Sequence, residues 1–527
     1  MKLKFLAALF LSGCCLWGSA QSKPMNPITK AMMDVYDQQL TENPKDYDVY
    51  FRRASEYYNH DQYLRALSDI DNAIKYTPAS DKDMLFKSYS LRGNIYSMTG
   101  RHKEALEDFK KALDLDPKSF VIVYEMANEE YELGDLQAAK ADYKKLQRLN
   151  PRSPEAVVGL TRVALKEGNV EQAKDLMDQI VALDPTSGAS YIRRATIKKE
   201  MGDNEGAVED IVVAISIQGN SRAVKELFAM ADIDYPATMN GLNKAIDQAP
   251  SVALYYYLRA SIAMAHYRYQ AALADFKYIL DQDLYNFPGL YDAMAQCYLA
   301  LGKYPEALKE CNFAIGMADD NAPYYITLAK IHRAMGHADL ALKAATEAVE
   351  LKPHDVDGKI EQALCYVSNK QYKEAAEVLG ELTLNDDSDA YTMMLRAWIL
   401  NDYLNQPKAA EGIYGTIVDL DYPEDDVTSY KGFAQLFQGN GPLGNRWMEQ
   451  ILKQPDSDGH LNYLGACYYA QAGDFDKAFK CMATSLANGY ANAYDWNLNN
   501  DARVNVAPLR DRAEFKSLMS QYAELFK

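Results

Sequence analysis

The sequence predicts an all-α fold: a solenoid of about thirteen helix pairs, two of them degenerate, with a C-terminal capping segment. Three observations predict it. An alanine returns on a fixed period, a second small residue precedes it by a constant spacing, and glycine and proline punctuate the pattern. Ala105, Ala139, Ala173 and Ala207 are 34 residues apart. Ala272 and Ala307 are 35 apart, and Ala341, Ala375 and Ala409 follow in steps of 34. Ala66 precedes the first run and Ala478 follows the last. A period in this range marks a repeat architecture.

Each element of the repeat has a physical reason. Twelve residues before the ladder stand Ala54, Gly93, Ala127, Thr161, Ala195, Ala260, Ala295, Ala329, Ala363 and Ala397. Small residues at two fixed points let antiparallel helices approach closely. Seven residues after the ladder, two turns along the same face, stand Ala73, Ala112, Leu146, Ile180, Ala214, Ile279, Ala314, Ala348, Leu382 and Thr416. Pro78, Pro117, Pro151, Pro185 and Pro353 end the second helix, because proline lacks an amide and clashes with the preceding turn. Gly100, Gly134, Gly168, Gly202, Gly302 and Gly336 mark the turn between the helices. Ser153 caps a helix that Pro154 opens.

The motif Tyr89, Gly93, Tyr96, Gly100, Ala105, Phe109, Ala112, Pro117 resembles the tetratricopeptide repeat (TPR) family. Tyr291, Ala295, Tyr298, Gly302, Ala307 and Ala314 nearly repeat it. The resemblance spans residues 45–490 and implies a right-handed superhelix that binds protein segments. Eleven units are recognisable. The long gaps after Ala207 and Ala409 each hold a degenerate pair, expected around 223–248 and 428–453. The resulting layout is a leader at 1–20 and a tether with a short helix at 21–45. Repeats follow at 46–219, a degenerate pair at 220–252 and repeats at 253–422. A degenerate pair at 423–457, a last repeat at 458–490 and a cap at 491–527 complete it.

Composition narrows the function. A solenoid grows by stacking, so 527 residues require no single large core. The formal charge of −18 becomes −20 once Lys2 and Lys4 leave with the leader. Such a chain is a poor nucleic-acid binder through its overall field. Tyrosine is abundant, 39 against 16 Phe, first as interhelical packing and second as a binding surface. No later segment is apolar enough to span a membrane.

Lys2, Lys4 and the apolar stretch 5–17 read as an export signal, with cleavage expected after Ala20. Leu11-Ser12-Gly13-Cys14 also matches a bacterial lipobox, which makes Cys14 a candidate lipidation site. Leu16 and Trp17 continue the apolar run and favour simple cleavage. Either route leads to the periplasm or the outer membrane.

Five cysteines lie beyond the leader: Cys297, Cys311, Cys365, Cys467 and Cys481. Cys297 with Cys311 and Cys467 with Cys481 are the conceivable disulfides. Cys297 and Cys365 occupy a repeat site held elsewhere by isoleucine or valine, so packing as small apolar residues is the stronger reading. The spacing fits no zinc site. Gly439-Asn440-Gly441-Pro442-Leu443-Gly444 is a literal GxGxxG without the strand a dinucleotide site needs, and reads as a flexible loop. The seven histidines are scattered, and no HExxH, GxSxG or Walker sequence occurs. Neither an enzyme nor a cofactor is expected.

The family resemblance implies that first helices line a concave groove. Carried over, it selects Tyr58, Asn94, Tyr124, Asn128, Tyr131 and Arg162, and further along Tyr257, Lys330, Arg333 and Trp398. Asn94 and Asn128 are equivalent, and an asparagine amide offers both a donor and an acceptor to a peptide backbone. The chaperone-binding carboxylate clamp is not implied, since Ser90, Tyr124, Glu125, Glu155 and Gly159 stand where its network would be. The expected role is a non-enzymatic module binding a protein or peptide in the bacterial envelope. The alternatives are a scaffold subunit of an envelope complex using its convex face and, third, an enzyme or glycan-active protein. Asp501, Pro508, Leu509, Arg510 and Phe515 resemble the closing segment of bacterial arrays, with a last helix near 513–526.

Overall fold

The computed structural model describes residues 27–385, 389–420, 425–499 and 501–527. The leader, Cys14, the start of the tether and the boundary at 422 lie outside the described residues. The described residues are helical, with no strand among them. They fall into two compact units, one ending at Asp247 and one running from Gln248 to Lys527.

In the first unit α1 (Pro27–Glu42) precedes six pairs. These are α2 (Tyr47–Asn59) with α3 (Tyr63–Tyr76), α4 (Lys82–Met98) with α5 (His102–Leu115), and α6 (Phe120–Glu132) with α7 (Leu136–Leu149). Then come α8 (Pro154–Lys166) with α9 (Val170–Leu183), α10 (Gly188–Glu200) with α11 (Asn204–Gln218), and α12 (Ser221–Ile233) with α13 (Tyr235–Gln248).

The second unit holds seven pairs. They are α14 (Ala253–Ala265) with α15 (Tyr269–Asp281), α16 (Pro288–Ala300) with α17 (Tyr304–Met317), and α18 (Ala322–Ala334) with α19 (Ala338–Leu351). Next are α20 (Val356–Ser368) with α21 (Tyr372–Asn385) and α22 (Ala390–Asp402) with α23 (Pro407–Asp419). The last are α24 (Asp425–Phe437) with α25 (Gly441–Ile451) and α26 (His460–Ala472) with α27 (Phe475–Ala487). The tail adds α28 (Ala493–Asn497), α29 (Ala513–Gln521) and three 3₁₀ turns.

The thirteen pairs are the predicted number, and the alanine ladder is their seam. Ala66, Ala105, Ala139, Ala173 and Ala207 are fully buried, as are Ala272, Ala307, Ala341 and Ala375. Gly93 shows why the partner site is small: a Cβ there would lie 2.5 Å from the Phe109 ring. The turn glycines adopt left-handed backbone, as at Gly100 (φ +71°) and Gly134 (φ +82°). Asp61, Tyr267 and Lys370 take the same turn without glycine. Aspartates cap several helices, with Asp81 accepting from the Met84 amide and Asp203 from the Gly206 amide.

Three local readings change. Ala409 is exposed, and Ala410 and Ile417 are buried in place of Ala409 and Thr416. The turn through Asn405 (φ +53°) is one residue longer and shifts the register by one. The degenerate pairs keep the period with glycine in place of alanine. Gly241 lies 34 residues after Ala207, and Gly444 lies 34 after Ala410 and 34 before Ala478. The GxGxxG segment is therefore not a flexible loop. Its later residues form the first turn of α25, and a Cβ at Gly444 would sit 2.7 Å from the Gly432 carbonyl oxygen.

The seven pairs of the second unit close on themselves. Tyr267, in the α14–α15 turn, shares a 2.8 Å hydrogen bond with His460 at the start of α26. Arg268 donates to the Asn488 carbonyl at 2.8 Å, just after α27. The tail does more than cap α27. Trp496, Tyr490, Val506 and Leu509 are buried in the core of the last pairs. The segment also reaches α15 and the α16–α17 turn, where Gln270 and Lys303 donate to the Glu524 and Lys527 carbonyls.

Candidate functional site

The first helices of the first unit, which the family resemblance assigns to the inner face, are α2, α4, α6, α8 and α10. Tyr124, Asn128 and Tyr131 project from α6 at spacings of four and three, and Arg162 projects from α8. All four are half-buried. Tyr143, from α7, is what gathers them. Its ring is 2 % exposed, and its hydroxyl donates to Asn128 Oδ1 at 2.6 Å. Burial holds the Tyr143 phenol far above its ordinary range, with the Tyr124 hydroxyl adding to the effect. Gly159 makes room, since a Cβ there would fall 2.2 Å from the Tyr143 ring.

The charges at this face are paired locally. Arg162 donates to Glu200 Oε1 at 2.6 Å. Lys166 donates to the Tyr131 carbonyl at 3.2 Å and lies 4.3 Å from the Tyr131 ring centroid. Glu125 has its carboxyl raised by burial, against an opposing hydrogen bond from Asn128. Tyr58 on α2 is raised by burial and by the Glu125 charge, which brings it within electrostatic reach of α6. Asn94 on α4 is half-buried. Tyr143, Lys166 and Glu200 escaped the sequence reading. Their signal was the exceptional Gly159, opposite an aromatic.

In the second unit the selected residues do not form an open groove. Trp398 is 5 % exposed and packs edge-on against Tyr403, 5.3 Å between centroids. It is a core residue rather than a ligand anchor, because α22 buries residues all around its circumference and Trp398 lies in the core cluster. Arg333 is bound to Glu361 at 2.9 and 3.2 Å, to the Tyr494 hydroxyl at 2.6 Å and to Asp501 at 3.1 Å. Lys330 is desolvated and its ammonium lowered, with Glu361, Asp357 and Asp292 countering the shift. The family register placed both on the inner face, but the local period carried no sign of the tail. Tyr257 packs against Phe276 and Phe287 and, with Leu254, Leu284 and Tyr285, lines an apolar cavity of about 390 Å³.

The five cysteines are buried free thiols. Burial pushes the Cys481 thiol up to about 11 and the other four further. Among the described residues no cluster of three or more His, Cys, Asp or Glu has metal-binding geometry, and no helix is long and apolar enough to cross a membrane.

Residues 86–119 match a family profile described as tetratricopeptide repeat, and 130–195 and 332–399 match a second profile of that description. These segments carry TPR repeats. The rice U-box domain-containing protein 70 (Oryza sativa subsp. japonica) is 29% identical over 107 residues, 19% of this chain and 13% of that protein. The chain thus matches only a small part of that relative's length. Among solved structures, yeast Tom70 aligns with 17% identity and TM-score 0.36, over 75% of this chain and 96% of that one. A tetratricopeptide repeat protein from Parabacteroides merdae aligns with 18% identity and TM-score 0.27, over 54% and 98%.

Proposed function

We propose that this chain is a non-enzymatic interaction module whose first unit holds an extended segment of a partner protein on its inner face. The observation that carries this is the convergence of Tyr124, Asn128, Tyr131 and Arg162 around the buried Tyr143. Half-exposed tyrosines supply apolar area with a polar tip, and arginine and tyrosine are the residue types that anchor interfaces. The Asn94 amide offers a donor and an acceptor to a backbone one helix away. The TPR repeats matched at 86–119 and 130–195 take in Tyr131, Tyr143 and Arg162 and flank Tyr124 and Asn128.

The chain acts outside the bacterial cytoplasm. Lys2, Lys4 and the apolar stretch 5–17 support export, and Cys14 supports a lipid anchor as the rival to cleavage after Ala20. Mass spectrometry of the mature N-terminus separates the two routes: a chain starting at Gln21, or one starting at a lipidated Cys14. A scaffold role using second helices is the second reading, favoured in the first unit by the exposed Leu64 and Val170 and in the second by the exposed Phe313 and Leu340.

In-cell cross-linking tests the first reading. Native protein is compared with Tyr124→Ala/Asn128→Ala/Arg162→Ala. A partner lost from the variant, with helicity and melting retained, supports the inner face. A partner captured equally by both moves the interface elsewhere and ends this reading.

A further inference from the structure

In the second unit, a first helix that the repeat pattern assigns to the inner face is contacted by the chain's own tail. Arg333, at the position where the repeat presents side chains inward, holds Tyr494 and Asp501 of the tail. Two residues on, Arg503 grips Asp402 of α22 through two nitrogens at 2.7 and 2.6 Å. The turn from Asp501 to Arg503 therefore ties α18 to α22.

This turn is strained. Ala502 (φ +53°) and Arg503 (φ +57°) are consecutive non-glycine residues in left-handed backbone. Each is disfavoured by the approach of Cβ to the following carbonyl. Strain of this kind persists only where surrounding contacts over-determine the backbone, and it gathers at clamps and switches. The polar contacts that hold it sit at its two ends, and between them the Ala502 methyl is buried against the core. Arg333 also keeps its bidentate contact to Glu361, so withdrawal of Asp501 does not leave a buried guanidinium unpaired. Trp496, Val506 and Leu509 are buried in the core and anchor the tail on either side.

We propose that the Asp501–Arg503 turn is an autoinhibitory latch, an internal ligand of Arg333 that an acidic, tyrosine-containing peptide segment displaces. Such a segment replaces the Asp501 carboxylate and the Tyr494 hydroxyl on Arg333, and the turn relaxes from its left-handed backbone. Trp496 and Leu509 stay seated, so opening is local.

Hydrogen exchange on the full chain tests this, together with a fluorescent synthetic peptide of residues 494–503. Asp501→Asn is expected to speed exchange of 498–503 at least tenfold while α26 and α27 keep their protection. It should also bind the peptide at least tenfold more tightly than the native chain, and adding Arg333→Ala should abolish that gain. Ala502→Gly removes the strain, and is expected to slow exchange of 498–503 several-fold and weaken peptide binding. The proposal is overturned if 498–503 exchange only together with α26 and α27 in the native chain. It is equally overturned if Asp501→Asn lowers protection throughout α26 and α27, or if the peptide binds native and variant chains alike.

Discussion

Arg92 grips Asp108 through two nitrogens, at 2.5 and 2.9 Å, and so ties α4 to α5 sixteen residues further along the chain. The same clamp joins Arg53 to Asp69, Arg194 to Asp210 and Arg259 to Asp275. Asp108 is almost fully buried, and Arg92 also reaches the exposed Asp71. Removing one partner of a buried bidentate pair strands the other, at about 3 kcal/mol. Asp108→Ala is therefore expected to destabilise the first unit by that amount. Asp71→Ala should cost less than about 1 kcal/mol, as exposed pairs do. Urea unfolding of both variants checks the contrast, and equal losses would contradict it.

Gly444 lets α24 and α25 approach in a pair that has no ladder alanine. A Cβ there would meet the Gly432 carbonyl oxygen at 2.7 Å and the Tyr468 hydroxyl at 2.5 Å. Backbone cannot swing aside as a side chain can. Gly444→Ala is expected to lower stability by about 2 kcal/mol through overpacking. Gly412, with nothing near its Cβ position, is the control: Gly412→Ala should be neutral or slightly stabilising. Thermal melts of the two variants give the test.

The repeat was legible because its cause is local. Ala105, Gly93 and Gly100 each answer a steric demand within one helix pair, and such demands recur on the period. The register slip at Ala410 was hidden by an adjacent alanine, since Ala409 satisfies the same pattern one residue early. Gly241 and Gly444 carried the period through the degenerate pairs, but a ladder read only in alanine passes over them. The support of Asn128 was not legible, because Tyr143 reaches it from the second helix. Arg333 and Trp398 were legible as repeat positions only. Their partners Tyr494, Asp501 and Tyr403 lie in the tail or in a turn, where no period points.

The thiols give a simple chemical test of the core. Burial in apolar surroundings raises all five and so suppresses the reactive thiolate. In the folded chain they are expected to resist Ellman's reagent at pH 8, with Cys481 the fastest because its thiol is shifted least. In denaturant all five should react within the dead time. Rapid labelling of Cys297 or Cys467 in the native state would contradict the packing described.

Acid should stabilise this protein between pH 8 and pH 5, against the habit of proteins rich in salt-bridged carboxylates. Burial pushes the Asp495 carboxyl up to about 6, although Tyr490 and Asn499 donate to it. Burial pushes Asp292 up to about 6, against hydrogen bonds from Thr327 and Gln296. Glu130 rises to about 7 through burial, with Asp142 and Asp135 adding repulsion. Unfolded carboxyls titrate near about 4. Across this window the native state binds more protons than the unfolded state, so unfolding releases them and stability falls as pH rises. Each contribution is present in full below about pH 4 and is lost as pH climbs through the raised native value. Exposed Glu104 and Glu205 are lowered and His332 is lowered by burial, and all three act in the opposite sense; solvent screens the two glutamates, and the three raised carboxyls outnumber the one histidine. The melting temperature is therefore expected to rise on acidification from pH 8 to pH 5. Glu130→Gln should flatten that slope in the first unit, and Asp495→Asn in the second. A slope unchanged in both variants would mean that these carboxyls titrate in the folded chain where they do in the unfolded one.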